Sequence, residues 1–514
     1  MILFLKRPER FQAANNLLIS RWGCARQPYL FELQRRDYPI TFISPDLAGG
    51  PPGKVSLTCP YDADILTEVL VGDELYFAST LDSEGNAGHY GVTATIYRID
   101  VAVGSIIIFR MDIDVESSLT VGGYFNIVKR KNYYVAFNIN LTDAKTGIVH
   151  SIPCKLKPGM NGKVRLDASE FITSYLVKEA PTVYSGVNLK DNNVWGKFYL
   201  TYTQMWTGST NSEVSDQSNE YFFVDAVKQL LDQYGQNLLS HLPFPELFAP
   251  GAKFLTEFVK PTFFPGYPFD LWFIYPDELS SAPLTREEDE FTSSGAALSA
   301  LSTSLNISMR GGVNRLRISE TGYSPGTAQI DVYLKIYSGV QESYFVDNYI
   351  EDGYYELDPP IPPDGITPYL LTERKRVKIG EVCAKNAVYV CWKNKLGGFD
   401  YWLFNGNQNV NISSKQTGVI NQEPDDIAIQ NYRATFLQAE QVERITCGDN
   451  VLIEDLQGIK SIEASPAVYV LSSLSPITWK RVRVVPKGFQ YQTKGNRADI
   501  TVEFEYPETY TLSN

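Results

Sequence analysis

Apolar and polar residues alternate along much of this chain. Phe109, Met111, Ile113 and Val115 alternate with Arg110, Asp112, Asp114 and Glu116. Tyr133, Val135, Phe137, Ile139 and Leu141 alternate with Asn132, Tyr134, Ala136, Asn138 and Asn140. Ile330, Val332, Leu334 and Ile336 alternate with Asp331, Tyr333, Lys335 and Tyr337. A period of two puts one set on a core face and the other towards solvent or a partner, so these segments read as strands. Turn signals separate such runs: Gly122-Gly123, Pro158-Gly159, Gly311-Gly312, Gly397-Gly398 and Lys494-Gly495-Asn496.

Helical patterning is sparse. Residues 225–242 carry Ala226, Leu230, Leu231, Leu238 and Leu239 at helical spacing behind Asp225 as N-cap, with Gly235 weakening the middle. That predicts one short helix or two pieces. A further turn or two is expected over 439–445, and 296–304 reads as helix or loop. The fold class is therefore mainly β: several β-sandwich-like domains in tandem with few short helices.

Composition shifts mark the boundaries. The pattern suggests an N-terminal β-sandwich-like domain over 1–180 and a middle region over 181–295 with strands, a short helix and an exposed loop or linker. A β domain over 296–404 ends in the Gly-Gly hairpin, and a C-terminal α+β or β domain covers 405–514. The polar run at 209–218 reads as a loop. Residues 278–295 hold the charged run Arg286-Glu287-Glu288-Asp289-Glu290 and read as a linker or exposed excursion. Five prolines between 359 and 368 make 350–368 a semi-rigid connection. No fixed-period repeat points to a solenoid or propeller.

Composition adds three exclusions. Tyr (32) and Phe (27) far outnumber Met (5), which suits pleated surfaces and contact faces. A net charge of −13 with no basic run of five argues against a nucleic-acid partner. Arg374, Lys375, Arg376 and Lys378 read instead as the solvated start of a strand. Six scattered cysteines without C-x-x-C spacing read as free thiols in a reducing compartment. The apolar start Ile2-Leu3-Phe4-Leu5 is short for a signal peptide, and no apolar run reaches the roughly 18 residues of a membrane span. A soluble product made in the cytoplasm, without membrane insertion, is expected.

Candidate chemistry is thin. His89, His150 and His241 have no metal-binding spacing, and no G-x-S-x-G, Walker A or G-x-G-x-x-G sequence occurs. No catalytic residues and no cofactor are expected. Asp112, Asp114 and Glu116 are the tidiest carboxylate set. Alternate strand residues share a face about 6.7 Å apart, so these could flank a glycosidic bond or help hold Ca²⁺. The solvated face of an amphipathic strand explains all three without further assumption and is the preferred reading. The acidic residues Glu351, Asp352, Glu356, Asp358 and Asp364 read as a soluble loop. Phe263, Phe264, Tyr267 and Trp272, with Phe269, Phe273 and Tyr275, crowd one proline-flanked segment. Core packing, a protein interface and sugar stacking are all open for it.

A resemblance enters at the C-terminal end. Trp392-Lys393-Asn394-Lys395-Leu396-Gly397-Gly398-Phe399-Asp400-Tyr401, between Val388 and Phe404, resembles the W-x-N-x-L-G-G-aromatic-acidic-aromatic hairpin of tail and baseplate proteins of phages infecting Bacteroidetes hosts. The run from Ala439 through Ser465-Pro466-Ala467-Val468-Tyr469 and Trp479 to Pro507 is similar to the terminal domain of the same proteins. More loosely, Gln27 to Leu33 and Gly162 to Leu176 fit their opening β-domain. The resemblance implies a virion structural protein of the distal-tail or baseplate type, located in the tail. Its implied partners are copies of itself in a ring, other tail or baseplate proteins, and in addition host glycan. It also implies that Trp392, Gly397, Gly398, Phe399, Tyr401 and Trp402 form an assembly hairpin, so that valine at both glycines blocks assembly more than folding. A glycan-binding or receptor-binding surface module and a glycan-cleaving β enzyme using Asp112 are the alternatives.

Overall fold

The computed structural model describes residues 2–6, 10–11, 18–20, 22–35, 38–39, 42–45, 55–61, 69–82, 93–102, 106–112, 120–129, 133–142, 147–159, 163–176, 181, 194–206, 216–218, 220–227, 240–242, 251–275, 284–305, 312–318, 323–336, 369–382, 386–421 and 434–512. They are mostly strand, arranged in several sheets, with two α-helices among the described residues. The chain divides into two compact units. One comprises 1–9, 27–175 and 197–222; the other comprises 10–26, 176–196 and 223–514. Each unit is thus assembled from more than one stretch of chain, and 296–404 and 405–514 fall in the same unit.

In the first unit, alternation becomes core. Phe109 and Met111 of the strand Ile106–Asp112 are buried with Leu57, Leu75, Phe77, Ile96, Phe125 and Ile127 in a seven-stranded antiparallel sheet. The strand Tyr134–Thr142 buries Val135, Phe137, Ile139 and Leu141 between Val149–Leu156 and the strand containing Lys197 to Met205. Asn140, expected on the polar face, is buried too; its amide donates to Thr201 Oγ1 at 3.3 Å, so the burial leaves that donor satisfied.

The second unit supplies the surfaces considered below. Its principal strands, in chain order, are β1 (Thr262–Phe263), β2 (Phe269–Tyr275), β3 (Leu284–Phe291), β4 (Ala297–Leu305), β5 (Gly312–Ile318), β6 (Gln329–Ile336), β7 (Tyr369–Leu370), β8 (Lys375–Ile379), β9 (Val388–Lys393), β10 (Phe399–Phe404), β11 (Gln408–Asn421), β12 (Ala434–Leu452), β13 (Val468–Leu474), β14 (Ile477–Lys494), β15 (Arg497–Glu505) and β16 (Thr509–Leu512). One sheet runs β1-β8-β6-β3-β4, with β7 also on β6. The larger runs β10-β9-β13-β14-β15-β12-β11, with β16 on β12. β2 and β5 form a two-stranded pair.

Three expectations need correction. Residues 284–291 are no linker: they form β3, an inner strand. Its charged run obeys the period of two, because Arg286, Glu288 and Glu290 are buried on one face while Glu287 and Asp289 lie on the other. Every one of these charges has a partner. Arg286 pairs with Glu288 and donates to the Arg317 carbonyl at 3.1 Å. Glu290 Oε2 accepts from the Ser324 N–H at 2.8 Å and the Thr327 hydroxyl at 2.6 Å. Lys335 lies 3.7 Å from Glu287, and Arg374 lies 3.5 Å from Asp289. Reading charge as solvation hid a strand whose charges are internal.

The second correction is that 439–445 lies within the long strand β12; the helix follows it, at α1 (Ile453–Lys460). The span 296–304 likewise falls almost wholly in β4. Third, the basic stretch at 374–378 does open a strand, β8, but beyond exposed Arg374 its side chains are half-buried or buried, and all four are paired. Arg376 forms a two-pronged bridge to Asp331, Lys378 reaches Asp455 at 2.6 Å, and Arg374 lies over the Tyr333 ring at 4.5 Å. Of the helix expected over 225–242, only 225–227 and 240–242 are described, and neither piece is α-helical. The proline-rich connection at 350–368 and its acidic residues lie outside the described residues.

One stability prediction follows from β3. Removing the Arg286 charge alone, as in Arg286→Leu, leaves Glu288 buried without its cation and should cost about 3–5 kcal/mol. Arg286→Leu combined with Glu288→Leu should recover most of that loss. Urea unfolding of both variants measures it, and equal losses in the two would refute the pairing.

Candidate interaction surface

The Gly-Gly hairpin is built from its turn outward. β9 and β10 pair from Val388↔Phe404 to Lys393↔Phe399. Asn394 organises the turn: its Oδ1 accepts the Leu396 and Gly398 N–H groups at 3.0 and 3.1 Å, and its Nδ2 donates to the Leu255 carbonyl at 2.9 Å. Gly397 sits at φ +94°, a conformation that L side chains rarely adopt, and a Cβ there would strike Val224. At Gly398 the obstacle is the Leu255 carbonyl oxygen. Both glycines are therefore required by the chain's own packing.

The aromatic side chains of this hairpin also turn inward. Trp392 is wholly buried, and its Nε1 donates to Ser461 Oγ at 2.7 Å. Phe399 lies 5.3 Å from Trp272, and Tyr401 lies 5.6 Å from Phe269. Trp402 stacks on Phe258 at 5.9 Å, meets the edge of Phe264 at 5.6 Å, and donates to Asp449 at 2.9 Å. Phe263, Phe264 and Trp272 are buried, and half-buried Tyr267 lies 4.7 Å from Tyr389. The hairpin read as an assembly face and the proline-flanked aromatic segment thus meet in one core, and of the three readings of that segment core packing is the one its burial matches. This corrects the assembly-hairpin assignment and leaves no flat aromatic platform at 263–272 for a sugar or a partner. Large rings at strand spacing look alike in sequence whether they face a partner or another part of their own chain.

Buried charge ties that core together. Asp225 receives Lys393 and, at 2.7 Å, Arg26. Burial alone would raise its carboxyl, but the two cations prevail and hold it below the usual carboxylate range. Asp270 accepts two bonds from Arg317, at 2.5 and 3.0 Å, and one from the Tyr401 hydroxyl at 3.3 Å. The cavity beside Asp270, Arg317, Tyr401 and Trp479 measures about 10 Å³, room for roughly one water and far too little for a sugar. Asp400 accepts from the Thr256 hydroxyl at 2.5 Å, the Glu257 N–H at 3.2 Å and Asn394 at 3.0 Å. Burial nevertheless pushes its carboxyl up to about 7.

No group of three or more metal-binding side chains occurs among the described residues. Asp112 ends its strand, while its side chain, Asp114 and Glu116 lie outside the described residues.

Among the described residues, two exposed strands of the second unit, β4 and β11, are paired on one side only: β4 with β3, and β11 with β12. Successive residues of β4 from Ala297 to Leu301 are exposed, so both of its faces meet solvent, with Leu298 at 41% and Leu301 at 37%. β11 is exposed from Asn409 to Lys415, with Val410 at 50% and Ile412 at 56%. Natural sheets usually guard their edges with charge, proline, bulges or covering segments. β4 carries no charge and no proline, its one guard being a register shift between Ala297 and Ala300; β11 carries Lys415 alone. The opposite edges, β1 and β10, are buried. Sequence pointed to the aromatics and passed over these edges. The uncharged sequence ALSALSTSL of β4 was the available signal, masked by its helix-or-loop composition.

No protein-family model matches this chain, and no curated protein matches it.

Two predictions arise from the hairpin. Gly397→Val and Gly398→Val should destabilise the isolated chain itself, each by roughly 1–3 kcal/mol or more, seen as a lower melting temperature of the purified protein. An unchanged melting temperature would restore the assembly role. For Asp400, the folded carboxyl sits above its unfolded value of about 3.9, so the folded state binds the extra proton. Its contribution to stability is present below about pH 4 and is lost as the pH rises through 7. Melting temperatures from pH 5 to 8 should fall more steeply for the wild type than for Asp400→Asn; parallel curves would refute this.

Proposed function

We propose that this chain is a structural component of a phage tail or baseplate, in which copies of it close into a ring joining the tail tube to host-recognition parts. The carrying observation is the pair of exposed, almost uncharged edges, β4 and β11, in a unit whose hairpin and proline-flanked aromatic side chains are turned inward. Unpaired edge strands are ready-made templates for another chain. A rigid β scaffold with charge-tied interior strands suits a part that transmits force and performs no chemistry. The ordered C-terminal segments that resemble tail and baseplate proteins support the same reading.

Light scattering across a concentration series, with negative-stain images of the same samples, tests it. The expected outcome is a mass that is a multiple of 57.8 kDa, together with closed rings on the grids. A single-chain mass at every concentration, with no rings, would count against the reading.

A further inference from the structure

We propose that β4 of one copy pairs with β11 of the next, joining a five-membered run of strands in one protomer to the eight-stranded sheet of its neighbour. The inference rests on the assembly reading above and names its junction. A part that links two different structures must have two different ends, so its contacts must be head-to-tail: one surface of each copy meets a different surface of the next. The described residues of the second unit offer two such surfaces. β4 ends the run β1-β8-β6-β3-β4, and β11 ends the larger sheet. Their backbone edges offer main-chain donors and acceptors along nine and fourteen residues.

Charge selects this pairing over the alternatives. β4 is uncharged, and the carboxylates next to it on β3 are already met: Glu288 by Arg286, Glu287 by Lys335, Asp289 by Arg374, and buried Glu290 by the Ser324 N–H and the Thr327 hydroxyl. A charged partner strand would find no counter-charge there. β11 has one charge in fourteen residues. An antiparallel β11–β11 contact centred on that strand would bring two Lys415 side chains close together, which like-charge pairing disfavours. A β4–β4 contact has no such clash, but it is two-fold and closes at a dimer without extending to a ring. Placing β4 on β11 opposes exposed Leu298 and Leu301 of one copy to exposed Val410 and Ile412 of the other, with at most one lysine at the junction.

A complementation experiment tests the junction. Leu301→Lys puts a charge on the β4 edge, and Ile412→Lys puts one on the β11 edge. Both positions are exposed, so each variant should keep the wild-type circular dichroism and melting temperature. Each variant alone should lose the wild-type higher-order mass in light scattering. Mixed in equal amounts, the two should form a species of two chains, because the intact β4 of one variant meets the intact β11 of the other. Association blocked by Leu301→Lys only, without rescue on mixing, would mean a two-fold β4 contact and overturn the proposal. Association blocked by neither variant would overturn it while leaving ring assembly standing. A wild-type protein that never associates would overturn both.

Discussion

An antiparallel hairpin ordinarily shows one face to water, and β9–β10 shows neither. Both faces must therefore be covered by the chain's own side chains, and much of the second unit is arranged to do so. Trp272 and Phe269 of β2 cover Phe399 and Tyr401, while Phe258 and Phe264 cover Trp402. The loop through Leu255 approaches so closely that position 398 has no room for a Cβ. Fully burying one such aromatic side chain is worth about 1.5–3 kcal/mol, so the coverage of the hairpin is a large part of what holds this unit in one arrangement.

Burying the hairpin also buries its polar groups, which explains the ionic interior. Lys393 ends β9 at 1% side-chain exposure, so its ammonium needs a carboxylate, and Asp225 supplies it with Arg26 as second cation. Asp400, next in sequence to Phe399, is drawn inside by the same register and is left without a cation in direct contact. Three hydrogen-bond donors serve it, and burial still lifts it to about 7. The same logic recurs in β3, where Arg286 and Glu288 are internal and paired and Glu290 is held by the Ser324 N–H and the Thr327 hydroxyl. Pairs of this kind contribute little net stability over apolar residues, but they penalise any misalignment of the strands that carry them.

Large apolar surface is thus concentrated inward, and the open edges β4 and β11 stand out by contrast. They combine small, hydroxyl-bearing and amide side chains with a few exposed aliphatics. Such strands bury little on their own and leave main-chain groups on one side open to pairing. Edges of this kind are what the assembly proposed above would use.

Alternation by itself determined the mainly β class and the core faces of the strands around Phe109, Phe137 and Val332, because side chains on a pleated strand change sides at every residue. The Gly-Gly turn was legible for the same local reason, since Gly397 needs a positive φ. Tertiary structure alone decided where the aromatic faces went. Whether Trp392 and Trp402 meet another protein or Phe258, more than a hundred residues away, depends on long-range packing that carries no local signature. It also decided that Arg286 to Glu290 is interior, because a charge is tolerated inside only when the fold brings it partners: Glu288 beside Arg286 on the same strand, and Ser324 and Thr327 from a following segment for Glu290. Finally, it decided which strands are edges. Edge position belongs to the order of strands in a sheet, and sequence records the strands without their neighbours.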